Sequence, residues 1–169
     1  MKDIDDTLQI LPQHVIKTLN LELAKYPADK KRSAIMRGLW LAQEANGGWL
    51  TTELIHAVAD FLEIPHIAAF EIATFYTMYD LHPVGKNKIY VCTSLSCMLG
   101  GADEMLEYLT TKLNVGVDQT TADKCLTLKT AECLAACAGA PMMQVNATYH
   151  ENLTHGNIDK ILAELTHAN

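Results

Sequence analysis

Between about residues 11 and 79 the hydrophobic positions recur at helical spacing, and beyond residue 87 they change to short alternating runs. The chain therefore predicts two regions of different kind. In the first, helices are expected from about Pro12 to Lys25 and from about Asp29 to Ala45. The second of these carries Ile35, Leu39 and Ala42 on one face and stops at Asn46-Gly47-Gly48. Thr51 is placed to cap a third helix, in which Leu54, Val58, Phe61 and Leu62 fall at i, i+4, i+7 and i+8. Pro65 suits the first turn of a fourth. There Ile72, Phe75, Tyr76 and Tyr79 repeat at i, i+3, i+4 and i+7, a spacing that predicts an aromatic stripe packed into a core.

The segment His82-Pro83-Val84-Gly85-Lys86-Asn87 gathers Pro, Gly and Asn and marks the expected boundary, dividing the chain into residues 1–83 and 84–169. Lys88 to Val91 reads as a short strand. Gly101 to Leu113 reads as an amphipathic helix with Ala102, Met105, Leu106, Leu109 and Leu113 on one side. Leu126 and Leu128 alternate with Thr127 and Lys129, as in a half-buried strand. Met142 to Val145 and Thr148 to His150 flank Asn146-Ala147, a tight hairpin, and Thr154 caps a last helix carrying Ile158, Ile161, Leu162 and Leu165. The expected fold class is α+β: an N-terminal helical bundle followed by a thioredoxin-like α/β domain.

Composition narrows the function classes. The chain has 169 residues, and its 49% hydrophobic content is enough for real cores. Its net charge of -7, with no basic run longer than Lys30-Lys31-Arg32, argues against a nucleic-acid partner. The longest apolar stretch, Ile67 to Tyr79, is broken by Glu71 and falls short of the roughly 20 residues a membrane span needs, so no membrane insertion is expected. The acidic opening Met1 to Asp6 resembles neither a signal nor a transit peptide, and a cytoplasmic location is the expectation. Neither G-x-G-x-x-G nor G-x4-G-K-[ST] occurs.

Five cysteines in a reducing compartment point to metal or redox chemistry rather than a disulfide framework. Four of them form two close pairs, Cys92-x4-Cys97 and Cys133-x3-Cys137, with 35 residues between the pairs. Four thiolates can close a zinc site or an iron-sulfur site. The x4 and x3 loops suit a binuclear iron-sulfur core better than the C-x2-C knuckles usual for zinc, but spacing alone leaves both open. The absence of C-x2-C removes a thioredoxin-type dithiol, and no histidine lies in either loop to build a Rieske centre. Gly100-Gly101 are expected to open a helix whose backbone N–H groups face the first pair. Small residues around the second pair, Ala135, Ala136, Ala138, Gly139 and Ala140, would let the backbone close on the sulfurs and donate N–H bonds to them. Cys125 is out of register with both pairs and reads as a spare thiol. His56, His66 and His155 read as structural.

Beyond these features, the chain resembles the E-subunit family of the NADH dehydrogenase module of respiratory complex I. The resemblance is carried by Ile64-Pro65, by Glu71-Ile72-Ala73-Thr74-Phe75-Tyr76-Thr77-Met78-Tyr79, and by Val91-Cys92 and Cys97-Met98-Leu99. It continues through Glu132-Cys133-Leu134, Cys137, Ala140-Pro141, Gln144-Val145-Asn146 and Leu153-Thr154. It implies a helical docking region over 1–83 and a thioredoxin-like ferredoxin domain over 84–169, with one 2Fe-2S cluster on Cys92, Cys97, Cys133 and Cys137. It also implies partners: an F-type subunit that binds FMN and NADH, and an iron-sulfur G-type subunit. The implied role is electron exchange with the partner's flavin, as a subunit of NADH:quinone oxidoreductase with no complete active site on this chain, in a peripheral arm on the cytoplasmic side of the inner membrane. The equivalent diaphorase subunit of a soluble NAD-linked hydrogenase or formate dehydrogenase is the alternative, and a zinc-stabilised interaction module is a further one. Two positions depart from the family pattern. Ala135 stands where the family has Gly after Cys-Leu, and Lys124 stands where it has Gly after Asp, so altered turn shapes are expected at both.

Overall fold

The computed structural model describes residues 10 to 167; the acidic opening Met1 to Asp6 lies outside them. The chain divides into two compact units, Met1–Pro83 and Val84–Asn169.

The first unit is helical. Helices α1 (Gln13–Leu23), α2 (Ile35–Ala45), α3 (Thr52–Phe61) and α4 (His66–Phe75) pack around Leu19, Leu39, Leu50, Ile55, Val58 and Leu62, all essentially inaccessible to water. The Thr51 hydroxyl accepts from the Leu54 N–H at 3.2 Å, the cap that its position predicts. The expected single helix from Asp29 is broken. Ala28–Ala34 is a 3₁₀ segment containing Lys30 at φ -117°, ψ 32°, and the α-helix begins only at Ile35. His56 and His66 stack with ring centroids 4.0 Å apart, and His66 Nε2 meets the Asp60 carboxylate at 2.7 Å.

The aromatic stripe does not form. α4 ends at Phe75, and Tyr76 leaves it in an extended conformation, φ -89°, ψ 121°. Phe75 is 77% exposed and Tyr76 is 38% exposed, Ile72 packs half-buried against the core, and Tyr79 alone of the four is buried in it. The helical period stops where the helix stops, so residues beyond it no longer share its face. The turn that follows is held from below by a residue whose role the hydrophobic pattern does not reveal. Gln43, 2% exposed, donates from Nε2 to the Met78 carbonyl at 3.0 Å and accepts at Oε1 from the Asp80 N–H at 2.7 Å. The Asp80 carbonyl accepts from the Leu50 N–H at 2.7 Å, and the Tyr79 hydroxyl donates to the Met36 carbonyl at 2.8 Å.

The second unit is a five-stranded mixed sheet in the order β2-β3-β1-β4-β5. Its strands are β1 (Asn87–Cys92), β2 (Gln119–Thr120), β3 (Leu126–Ala131), β4 (Met143–Val145) and β5 (Thr148–His150). β1 and β3 are parallel, from Asn87↔Leu126 to Cys92↔Ala131, and the other pairings are antiparallel. The parallel pair needs a long crossover, supplied by the short helix α5 (Leu95–Leu99) and by α6 (Ala102–Leu113). Ile89, Val91, Leu109, Leu128, Met143 and Ile158 form the core. α7 (His155–His167) is fastened to α6 by polar contacts: His155 stacks on Tyr108 with centroids 4.1 Å apart, and Asp159 accepts from Tyr108 at 2.7 Å and from Lys112 at 2.8 Å.

β3 is not the half-buried strand that its alternation suggests, because Thr127 is buried along with Leu126 and Leu128. Its hydroxyl has two partners in compensation, the Gly85 N–H at 2.6 Å and Thr120 Oγ1 at 2.8 Å. In the β4–β5 hairpin, Asn146 takes φ 53°. Its side chain accepts from the Lys88 N–H at 2.9 Å, which pins the hairpin to the start of β1.

Two outcomes follow for the helical unit. Gln43→Ala leaves two backbone groups of the 78–80 turn without their buried partner and is expected to cost about 1–3 kcal/mol in a urea unfolding titration. Burial, with the neighbouring Tyr76 as a smaller cause, pushes the Tyr79 phenol up to about 12. A raised folded pKa means that the contribution of this group is complete below its unfolded value of about 10 and is lost as pH rises toward 12. Alkaline titration at the tyrosinate absorbance band should show one of the six tyrosines ionising late, and Tyr79→Phe should remove that late phase.

Candidate metal centre

Both cysteine loops leave the carboxyl ends of adjacent parallel strands, the place where open α/β sheets put their ligands. Cys92 is the last residue of β1 and lies beside Ala131, the last residue of β3. The Thr93 N–H bonds the Ala131 carbonyl at 2.9 Å, so the two chains are still tied together as they leave the sheet. Cys97 lies in α5, and Cys133 and Cys137 follow β3. On the other side of β1, the Cys92 N–H donates to the Met142 carbonyl at 3.2 Å. Cys92, Cys97, Ala102 and Met142 form a small buried cluster of their own, with Leu134, Ala136 and Ala140 against it. Small side chains are a requirement here. A Cβ on Gly100 would come within 3.2 Å of the backbone at Ala140 and Pro141.

The two pairs differ in environment. Cys92 and Cys97 are buried and their thiols hydrogen-bond one another, whereas Cys133 and Cys137 are exposed. Cys137 lies near enough to Cys97 to act on it electrostatically. Among the described residues, no three His, Cys, Asp or Glu side chains are gathered closely enough to hold one metal ion. The four cysteines thus stand as one closed pair with the second, open loop beside it.

Backbone N–H groups supply the polar surroundings of the sulfurs. Burial opposes ionisation of Cys92, yet N–H groups of Ser94 and Leu134 and the Cys97 thiol together hold it below the ordinary thiol range. Cys97 is pushed up to about 11 by burial, by its hydrogen bond to Cys92 and by the charges of Cys92 and Cys137, against a hydrogen bond from the Met142 N–H. The Ala135 N–H donates to Cys133 Sγ at 3.4 Å. The Ala135 donor belongs to the run of small residues that the sequence singles out, but the other expected source does not serve. The Gly100 and Gly101 amides close the turn of α5 instead, on the carbonyls of Ser96 at 3.1 Å and Met98 at 3.0 Å. Four N–H groups converging on cysteine sulfur fit an anionic, thiolate-ligated group, and binding such a group would displace the proton that Cys97 otherwise keeps.

The turns at the two departing positions keep left-handed backbone. Ala135 has φ 59° and Lys124 has φ 60°. The expectation of altered turn shape is therefore corrected: both side-chain-bearing residues adopt the conformation that favours glycine, and the cost is carried as strain of about 1 kcal/mol each. Cys125 sits at the amino end of β3, six residues before its carboxyl end, so about 20 Å of extended strand separates it from the paired loops. Its N–H meets Asp123 Oδ1 at 3.0 Å, and its thiol also hydrogen-bonds that carboxylate.

Thiols at the carboxyl ends of β1 and β3 on a thioredoxin-like layer define a ferredoxin of the thioredoxin type. The model of the thioredoxin-like [2Fe-2S] ferredoxin family matches residues 19–166, and the chain belongs to that family. Its relatives include proteins named as the E subunit of NADH-quinone oxidoreductase. The one from Rickettsia conorii is 47% identical over 152 residues, covering 88% of this chain and 91% of the relative. The one from Rickettsia prowazekii is 44% identical over 151 residues, covering 88% and 85%. The mitochondrial NADH dehydrogenase [ubiquinone] flavoprotein 2 of Dictyostelium discoideum is 39% identical over 143 residues, covering 85% of this chain and 58% of that protein. A crystal structure of NAD+-reducing [NiFe]-hydrogenase in the air-oxidized state shares the fold, with a TM-score of 0.67 at 18% identity over 78% of this chain and 23% of that one.

Relief of the strain in the second cysteine loop is measurable. Ala135→Gly is expected to raise the unfolding free energy by about 0.5–1 kcal/mol in a denaturant titration, and a β-branched residue there should lower it by more than that.

Proposed function

We propose that this chain is the electron-transfer subunit of the NADH dehydrogenase module of an NADH:quinone oxidoreductase. In this reading Cys92, Cys97, Cys133 and Cys137 hold its single 2Fe-2S cluster. The observation that carries the assignment is the convergence of both cysteine loops at the carboxyl ends of β1 and β3, with backbone N–H groups aimed at the sulfurs, in a chain of the [2Fe-2S] family. The cluster supplies one-electron chemistry when bound.

The protein's own part is ligation, burial and polarity. Cys92 and Cys97 give the buried side of the site and exclude water, while Cys133 and Cys137 leave the other side at the surface. N–H groups of Ser94, Leu134, Ala135 and Met142 stabilise negative charge on sulfur, which favours the more reduced state. NADH oxidation belongs to an F-type partner carrying FMN, beside an iron-sulfur G-type subunit, in a peripheral arm on the cytoplasmic side of the membrane. No described helix is long and apolar enough to cross a membrane. The helical unit is assigned to docking, which gives the exposed Phe75 and Tyr76 a purpose that the core does not. The diaphorase subunit of a soluble NAD-linked hydrogenase is supported by likeness of fold, while the 39% to 47% identical relatives favour the quinone-linked complex.

Anaerobically reconstituted full-length protein is expected to contain about two iron per chain, with visible sulfur-to-iron absorption and an EPR signal on dithionite reduction. Alanine at any of Cys92, Cys97, Cys133 or Cys137 should abolish these signals, and Cys125→Ala should keep them. A colourless, zinc-loaded wild-type protein would refute the assignment.

A further inference from the structure

The helical unit carries a second feature that ligation of a cluster does not use. α2 and the turn after α4 enclose an open cavity of about 270 Å³, lined by Met36, Arg37, Trp40, Met78 and Tyr79. Its surfaces are apolar except at the mouth, where Arg37 stands exposed. The neighbouring cations are matched: Lys30 with Asp29, Lys31 with Glu63 and Arg32 with Glu71. Arg37 has no ion pair or hydrogen bond among the described residues, and the half-buried Trp40 indole N–H has no acceptor among them either. The carbonyls that border the cavity are already engaged, Met36 by the Tyr79 hydroxyl and Met78 by Gln43. The cavity therefore offers apolar wall and unspent donors, with the Met36 and Met78 carbonyls already taken.

That combination specifies an occupant. A volume of about 270 Å³ with a wide mouth is small and open for a metabolite site, and it suits one or two side chains of a protein anchor. The unmatched guanidinium asks for a carboxylate, in geometry that a lysine would not reproduce. The site is also preorganised. Gln43 and the Asp80–Leu50 bond hold the 78–80 turn before any partner arrives, so little ordering entropy remains to be lost on binding.

We propose that this cavity is the anchor point for the flavin-binding partner subunit, and that it receives an aromatic or branched aliphatic side chain with a neighbouring Asp or Glu that pairs with Arg37. The inference rests on the partner reading under Proposed function and adds where and by what chemistry the contact is made.

The test uses cluster-loaded full-length protein and the flavin-binding subunit purified from the same complex, with the dissociation constant measured by interferometry. Arg37→Glu and Met78→Glu are each expected to weaken association at least tenfold. Lys17→Glu, an equal change of charge on the exposed face of α1, should stay within twofold of wild type. Visible spectra and thermal midpoints of all variants should match the wild type, which separates loss of docking from loss of fold. Association within twofold of wild type for both Arg37→Glu and Met78→Glu overturns the proposal. So does a wild-type homodimer that Arg37→Glu dissolves while flavin-subunit binding persists, since the occupant would then be a second copy. If the wild-type protein, with its cluster intact, binds no flavin subunit at all, the partner reading itself fails, and the variants are not needed to show it.

Discussion

Parallel pairing of β1 with β3 is the constraint on which the metal centre depends. Cysteine pairs with 35 residues between them can share a site only if their loops leave the sheet together, and the register ending at Cys92↔Ala131 makes them do so. The alternation along β1 fixes that register, since Ile89 and Val91 point into the core and a slip of one residue would expose both. On its other edge β1 pairs with β4, which places Met142 against the site. The Met142 carbonyl holds the Cys92 backbone and its N–H reaches Cys97. Three strands thus position two thiols, and the rest of the unit keeps those strands in order.

The surroundings of the sulfurs are made of backbone, and this explains the local strain. A side-chain donor can be swung into place by rotamer choice, but an amide N–H can be aimed only by bending the chain that carries it. Ala135 at φ 59° is where that bend occurs: its own N–H meets Cys133, and the preceding N–H, on Leu134, meets Cys92. Consecutive N–H groups pointing into one concavity are a recurrent way of binding anions, iron-sulfur clusters among them. A cost of about 1 kcal/mol for left-handed alanine is small against the charge such a loop has to stabilise.

Much of this was legible in the sequence, and the failures have specific physical causes. Helices α1 to α4 followed from apolar spacing, with Thr51 as a cap, and the strand-helix-strand order of the second unit followed from the change of period after residue 87. The period misplaces Tyr76 because it describes a face only while the helix continues, and nothing in Phe75-Tyr76-Thr77 marks its end; Phe75, still helical, lies two residues past the buried Ala73 and so about 200° round the helix from it. Alternation assigns Thr127 to the surface because hydroxyl residues usually lie there, yet β3 is paired on both edges and the Gly85 N–H and Thr120 hydroxyl satisfy the Thr127 side chain, so it is buried. The cysteine spacings announced thiolate chemistry without showing that one pair is buried and the other exposed. Of the N–H donors, the run of small residues signals that of Ala135, while those of Ser94, Leu134 and Met142 leave no trace, since every residue has an amide. Gln43 was invisible for a related reason: a polar residue at a core position looks like an interruption until its two backbone partners are seen.

Gln43 also bears on why the exposed aromatic segment is where it is. Burying a primary amide is unfavourable unless both its donor and its acceptor are used, and an apolar residue would fill the same space without that condition. What the amide adds is a fixed path for the chain from Met78 to Asp80, immediately after the helix end that releases Phe75 and Tyr76 to the surface. The same path sets one wall of the cavity beside Arg37. A turn held this way presents exposed apolar side chains in a defined arrangement, which a loop held only by contacts among its own surface residues would not do. The buried amide of Gln43 and the exposed apolar side chains beside it therefore have one explanation: this part of the core is built to hold a surface in shape.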